Sequence, residues 1–70
     1  MTSETLLEML KRKPFEPFEV RMSNGDVFEV RHPEFAFVLK SNLVIGDPVS
    51  DRVHICSLLH IANLQTSKAA

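Results

Sequence analysis

Phe18-Glu-Val-Arg-Met-Ser-Asn-Gly-Asp-Val-Phe-Glu-Val-Arg31 is the stretch on which the fold turns. Phe18, Val20 and Met22 alternate with Glu19 and Arg21; after the turn, Phe28 and Val30 alternate with Glu29 and Arg31. A period of two marks strands with one buried face, and Asn24-Gly25 between them marks a hairpin. The register follows from the side chains. A two-residue Asn-Gly loop would set Val20 opposite Glu29 and mix the faces, because directly opposed residues share a face. A three-residue loop, Ser23-Asn24-Gly25 with Gly25 left-handed, sets Val20 opposite Phe28 and Phe18 opposite Val30. The second register is therefore predicted. It brings Glu19 against Glu29, a small repulsion that Arg21 and Arg31 relieve from the diagonals.

Upstream, the pattern predicts a helix over about residues 3–12. Thr2 or Ser3 caps it, Glu4 and Glu8 lie toward its positive end, and Lys11, Arg12 and Lys13 complement its negative end. Leu6, Leu7 and Leu10 supply its apolar stripe, and Pro14 ends it. Downstream, His32-Pro33 breaks the second strand. Phe35-Ala36-Phe37-Val38-Leu39 is apolar at every position, so both of its faces need cover. Leu43-Val44-Ile45, Val53-His54-Ile55 and Ile61 to Gln65 read as further strands, with one tight helical turn over Ser57 to His60 before the last. Residues 67–70 read as a frayed tail. The expectation is one domain over residues 1–70, α+β and mainly β. It consists of the N-terminal helix on a small SH3-like/Sm-like β-barrel of five to six short strands over about 18–66, with Leu6 and Leu10 plugging one end.

Two resemblances accompany this reading. Phe18 to Gly25, the alternation of Val27 to Arg31, Phe37-Val-Leu-Lys-Ser-Asn42 and Ile61-Ala-Asn-Leu64 look like the Sm/Hfq-like small β-barrel family. That likeness implies a short helix before a bent barrel, and subunits joined edge to edge into rings that bind RNA. Lys13-Pro-Phe-Glu-Pro-Phe18, Asn24-Gly25, Val30-Arg-His-Pro-Glu34 and Leu58-Leu-His-Ile61 resemble a group of small bacterial proteins frequent in planctomycetes. This second likeness implies a bacterial, cytoplasmic protein and carries no chemistry with it.

Composition narrows the function classes. Eight Lys+Arg against nine Asp+Glu give a net charge of −1 over 70 residues, with 44% hydrophobic residues. That balance excludes a disordered chain and a polybasic nucleic-acid tail. No apolar run approaches the ~18 residues of a membrane span, and the first residues lack the order of a signal peptide, so a cytoplasmic location is expected. The single Cys56 excludes a disulfide framework and a cysteine-rich zinc module. His54, Cys56 and His60 have metal-ligand chemistry, yet a site needs three or four convergent ligands, and a simpler account suffices: Cys56 as a small core residue and the histidines as partly exposed polar caps. Cys56 with His60, or Asp51, His54 and Ser57, form catalytic sets only on paper, since a strand turns Ser57 to the opposite face from His54. No enzyme activity, cofactor or metal is expected.

Lys11, Arg12 and Lys13 are the candidate phosphate contacts, with complementation of the helix dipole as the simpler account. Phe35, Phe37, Val38 and Leu39 are the candidate self-association surface. A chain of this size buries only about 60% of its unfolded surface and has no disulfide to brace it, which favours assembly. The expected function is a non-catalytic interaction module whose partner is a second copy of itself, forming a homo-oligomer; the alternative is an Sm/Hfq-like RNA-binding ring.

Overall fold

The computed structural model describes residues 1–66. The order is α1 (Ser3–Lys11), β1 (Phe18–Met22), β2 (Val27–Val30), a 3-10 turn (Pro33–Phe35), β3 (Ala36–Val38), β4 (Asn42–Asp47), β5 (Arg52–Ser57), a second 3-10 turn (Leu58–His60) and β6 (Ile61–Thr66). The expected tail over 67–70 lies outside the described residues.

The hairpin has the register that its side chains demand. Phe18 faces Val30 and Val20 faces Phe28, with Glu19 across from Glu29. Met22 N–H donates to the Asp26 carbonyl at 2.8 Å, Gly25 N–H donates to the Met22 carbonyl at 3.0 Å, and Gly25 sits at φ +95°. The loop is therefore the three residues Ser23, Asn24 and Gly25, with the left-handed position filled by the one residue type that adopts it without penalty. Asn24 reinforces it: its Oδ1 accepts from Asp26 N–H at 3.0 Å. The charge repulsion between Glu19 and Glu29 is offset where Arg31 Nε donates to Glu29 Oε1 at 2.7 Å.

The predicted barrel is not present. The six strands form two separate three-stranded antiparallel sheets, ordered β2-β1-β6 and β3-β4-β5. A barrel needs every strand paired on both sides, whereas β2, β6, β3 and β5 are each paired on one side only. Strand length is the physical reason. Closure requires strands long enough to bend from one sheet into the other; here His32 and Pro33 end β2 after four residues, and β3 has only three. Proline removes a ladder donor and turns the chain into the 3-10 segment, so the two short strands enter different sheets. At the other crossing, the Leu58–His60 turn separates β5 from β6 in the same way. The coarser expectation, α+β and mainly β, agrees with this architecture.

Between the sheets lies one core. Phe18, Val20, Val30, Leu43, Ile45, Cys56, Leu58, Ile61 and Ala36 are buried together with Leu6 from the helix. Thr2 caps α1, its Oγ1 accepting from Thr5 N–H at 3.3 Å, and the helix packs beside β3. Leu6 is fully buried and Leu10 half-buried, so a helix too short to persist alone is held by its docking. Phe15 packs on Phe18 at 6.1 Å between ring centres, under the connector that leads from α1 to β1.

Candidate functional site

Alternation along β3, β4 and β5 decides which side chains face out. Ala36, Leu43, Ile45 and Cys56 point into the core, so their neighbours Phe37, Val44, Gly46, Val53 and Ile55 occupy the other face. Register aligns them: Phe37 lies opposite Val44 and Val44 opposite Ile55, a row across all three strands, while Gly46 lies opposite Val53. Leu39 continues the line two residues beyond Phe37, and its N–H donates to the Asn42 carbonyl at 2.8 Å. In a half-solvated antiparallel sheet this outer face is normally polar. Here it is apolar. Phe37 is 58% exposed, Leu39 49%, Val53 65% and Ile55 70%. Taking about 200 Å² for the phenylalanine and somewhat less for each aliphatic side chain, these four leave on the order of 400–500 Å² of apolar surface in one patch. That is the size of the largest patch on a typical monomer, which is often functional. Its remaining strand positions, Asn42 and Ser57, are uncharged.

The four residues singled out from the sequence divide in two. Phe37 and Leu39 belong to the exposed face, whereas Phe35 and Val38 are half-buried; Val38 packs against the core and Phe35 meets His32 edge-on at 5.0 Å. Val53 and Ile55, half of the patch, were missing from that set. The signal for them is the alternation itself: once His54 and Cys56 are placed inward, their neighbours must face outward.

The basic residues lie elsewhere. Lys11 closes α1, Arg12 is its C-terminal cap and Lys13 follows; all three are exposed, and Arg12 Nη1 lies 3.7 Å from Glu16 Oε2. Of the phenylalanines among the described residues, only Phe37 is an exposed ring.

Nor do the metal-type and nucleophilic residues converge. His54 stacks on Phe28 with ring centres 4.6 Å apart, Cys56 is buried in the core, and His60 is exposed on the second 3-10 turn. Burial pushes the Cys56 thiol up from its ordinary range, which disfavours the thiolate that nucleophilic attack or metal binding requires. Among the described residues no three His, Cys, Asp or Glu side chains are placed to hold a metal ion. No helix among them is long and apolar enough to cross a membrane. Comparison with family models, with curated proteins and with solved structures gives no match for this chain.

Proposed function

We propose that this chain is a non-catalytic interaction module that associates with a second copy of itself through the outer face of β3, β4 and β5. The observation that carries the reading is the uncharged row Phe37–Val44–Ile55 with Leu39 and Val53 beside it. A charged partner finds nothing complementary there, whereas an identical face does. Antiparallel sheets pack face to face about 10 Å apart with interdigitating side chains, and Gly46 keeps part of the surface low. Two such faces together contribute on the order of 800–1,000 Å² from four side chains each, close to the ~1,000 Å² that an interface should clear, before Val44 and the rim are added. A small core without disulfides gains most from such an arrangement.

Sedimentation equilibrium from micromolar to millimolar concentration tests this. The parent chain should dimerise and Phe37→Glu, which puts a charge at the centre of the patch, should sediment as a monomer with an unchanged circular dichroism spectrum. A parent chain that stays monomeric at millimolar concentration removes the reading. The RNA-binding ring draws less support, because Arg12 is engaged by Glu16 and the described residues offer one exposed phenylalanine ring for base stacking. Titration with oligouridylate at two salt concentrations separates the two: tight, salt-dependent binding lost in the triple variant Lys11→Ala, Arg12→Ala, Lys13→Ala favours RNA.

A further inference from the structure

A cleft of about 530 Å³ opens between β2 and the β4–β5 hairpin. Val27, Phe28 and Glu29 all border it. Consecutive strand residues point to opposite faces, so three in a row can border one cleft only along the edge of the strand. That edge is unpaired, since β2 is an outer strand with β1 on its other side.

The hairpin closure shows which backbone groups the edge presents. Met22 bonds to Asp26, and in an antiparallel ladder bonded and non-bonded pairs alternate. Val20 with Phe28 and Phe18 with Val30 are then the bonded pairs. The N–H and C=O groups of Val27 and Glu29 are directed away from β1, toward the cleft. No hydrogen bond to them exists among the described residues. Beneath lies an apolar floor. Ile45 is buried, Phe35 is half-buried, and Phe28 is braced against the ring of His54. The rim carries the ion pair of Arg31 with Glu29 and a second carboxylate, Asp47.

We propose that this edge and cleft form a peptide-binding site, in which an extended segment of a partner protein adds to the sheet as a strand beside β2. The segment exchanges main-chain hydrogen bonds with Val27 and Glu29. It directs an apolar side chain toward Ile45 and Phe35 and leaves alternate polar side chains in water. Main-chain bonds supply affinity and the floor supplies selectivity, the usual division in strand addition. Gly46 is the one residue the site shares with the face proposed for self-association, and the site does not depend on that face.

Selection of a random octapeptide phage library on the full-length chain, followed by amide hydrogen exchange with a selected synthetic peptide, tests the proposal. Enriched peptides should alternate apolar and polar residues. Exchange at Val27 and Glu29 should slow about tenfold or more on binding, while the Phe28 amide, already bonded to β1, changes little. Val27→Pro and Glu29→Pro each delete one edge N–H without removing a bond to β1, and should weaken binding about tenfold or more. Val27→Thr, which keeps the N–H and the strand preference, should bind like the parent. The proposal is overturned if no peptide is enriched, if the newly protected amides lie on β5 or β6, or if folded proline variants bind unchanged. Should both proline variants lose the fold, the exchange pattern of the parent chain decides alone.

Discussion

Ile55→Ala is the sharpest test of the sheet-face dimer, because its cost can be worked out from the exposure of one residue. Full burial of an isoleucine side chain is worth about 1.5–3 kcal/mol. In the single chain Ile55 is 70% exposed, so most of that gain, about 1–2 kcal/mol, is realised only when a second copy covers it. A two-fold interface contains the residue twice. Truncation should therefore weaken dimerisation by about 2–4 kcal/mol, or roughly thirty- to several-hundred-fold in Kd at a factor of ten per 1.4 kcal/mol. The stability of the monomer should change by less than about 1 kcal/mol, since surface truncations away from special features cost little. Sedimentation measures the first quantity and urea unfolding at low concentration the second. A Kd within threefold of the parent value, with the fold intact, would refute the reasoning, because it would mean that Ile55 stays in water in the assembly.

Three further expectations follow from the interior, the turn and the long loop. Leu6→Ala removes the fully buried anchor of α1 and should cost about 2–5 kcal/mol, lowering Tm by about 10 °C or more; a helix signal that survives unchanged would show that α1 does not depend on this contact. Gly25→Ala should destabilise by about 1–2 kcal/mol on conformational grounds alone, since φ is +95° and nothing lies within 4 Å of the added methyl. Gly25→Asn should cost less, and equal urea midpoints for all three chains would contradict a left-handed turn position. The Asp47 carboxyl is held below the ordinary aspartate range, first by the Ser50 hydroxyl and then by the Ser50 and Val49 N–H groups, which lie 3.3 and 3.0 Å from its Oδ1. Its folded pKa is thus depressed, so its contribution to the 48–51 loop is complete above the unfolded value of about 3.9 and fades as pH falls through the folded value. The amide resonances of Val49 and Ser50 should titrate with a midpoint below that of a free aspartate, and a midpoint at or above it would remove the claim.

How much of this could be read in advance depends on whether the information was local. The Phe18–Arg31 hairpin was fully legible, because the alternation and the single glycine are sufficient to fix a register between adjacent strands. The break at His32-Pro33 and the tight turn at Leu58–His60 were legible for the same reason. Barrel closure was not. It depends on whether non-adjacent strands pair, and hydropathy says nothing about which free edge meets which. Phe35 to Leu39 shows the limit most directly. Five apolar residues in a row cannot say which face another element covers, and only the packing of α1 and the core on the Ala36 side leaves Phe37 and Leu39 outside. Val53 and Ile55 reverse the normal rule, with aliphatic side chains outward and His54 and Cys56 inward. That inversion is invisible until the neighbouring strand is known.

The separation of the six strands into two ladders has a mechanical consequence. Beyond the two covalent crossings, main-chain bonds tie the second 3-10 turn to both layers, from Ser23 N–H to the His60 carbonyl and from Leu58 N–H to the Ser41 carbonyl. Elsewhere side-chain contact holds one layer against the other, so the layers can part there along their common plane without an inter-strand bond being broken in either. Cohesion across that plane then falls with any loss of interior volume, whereas each ladder retains its own zipper. In a native-state exchange experiment the amides of β1, β2 and β6 would open as one cooperative group and those of β3, β4 and β5 as another, each with its own denaturant dependence.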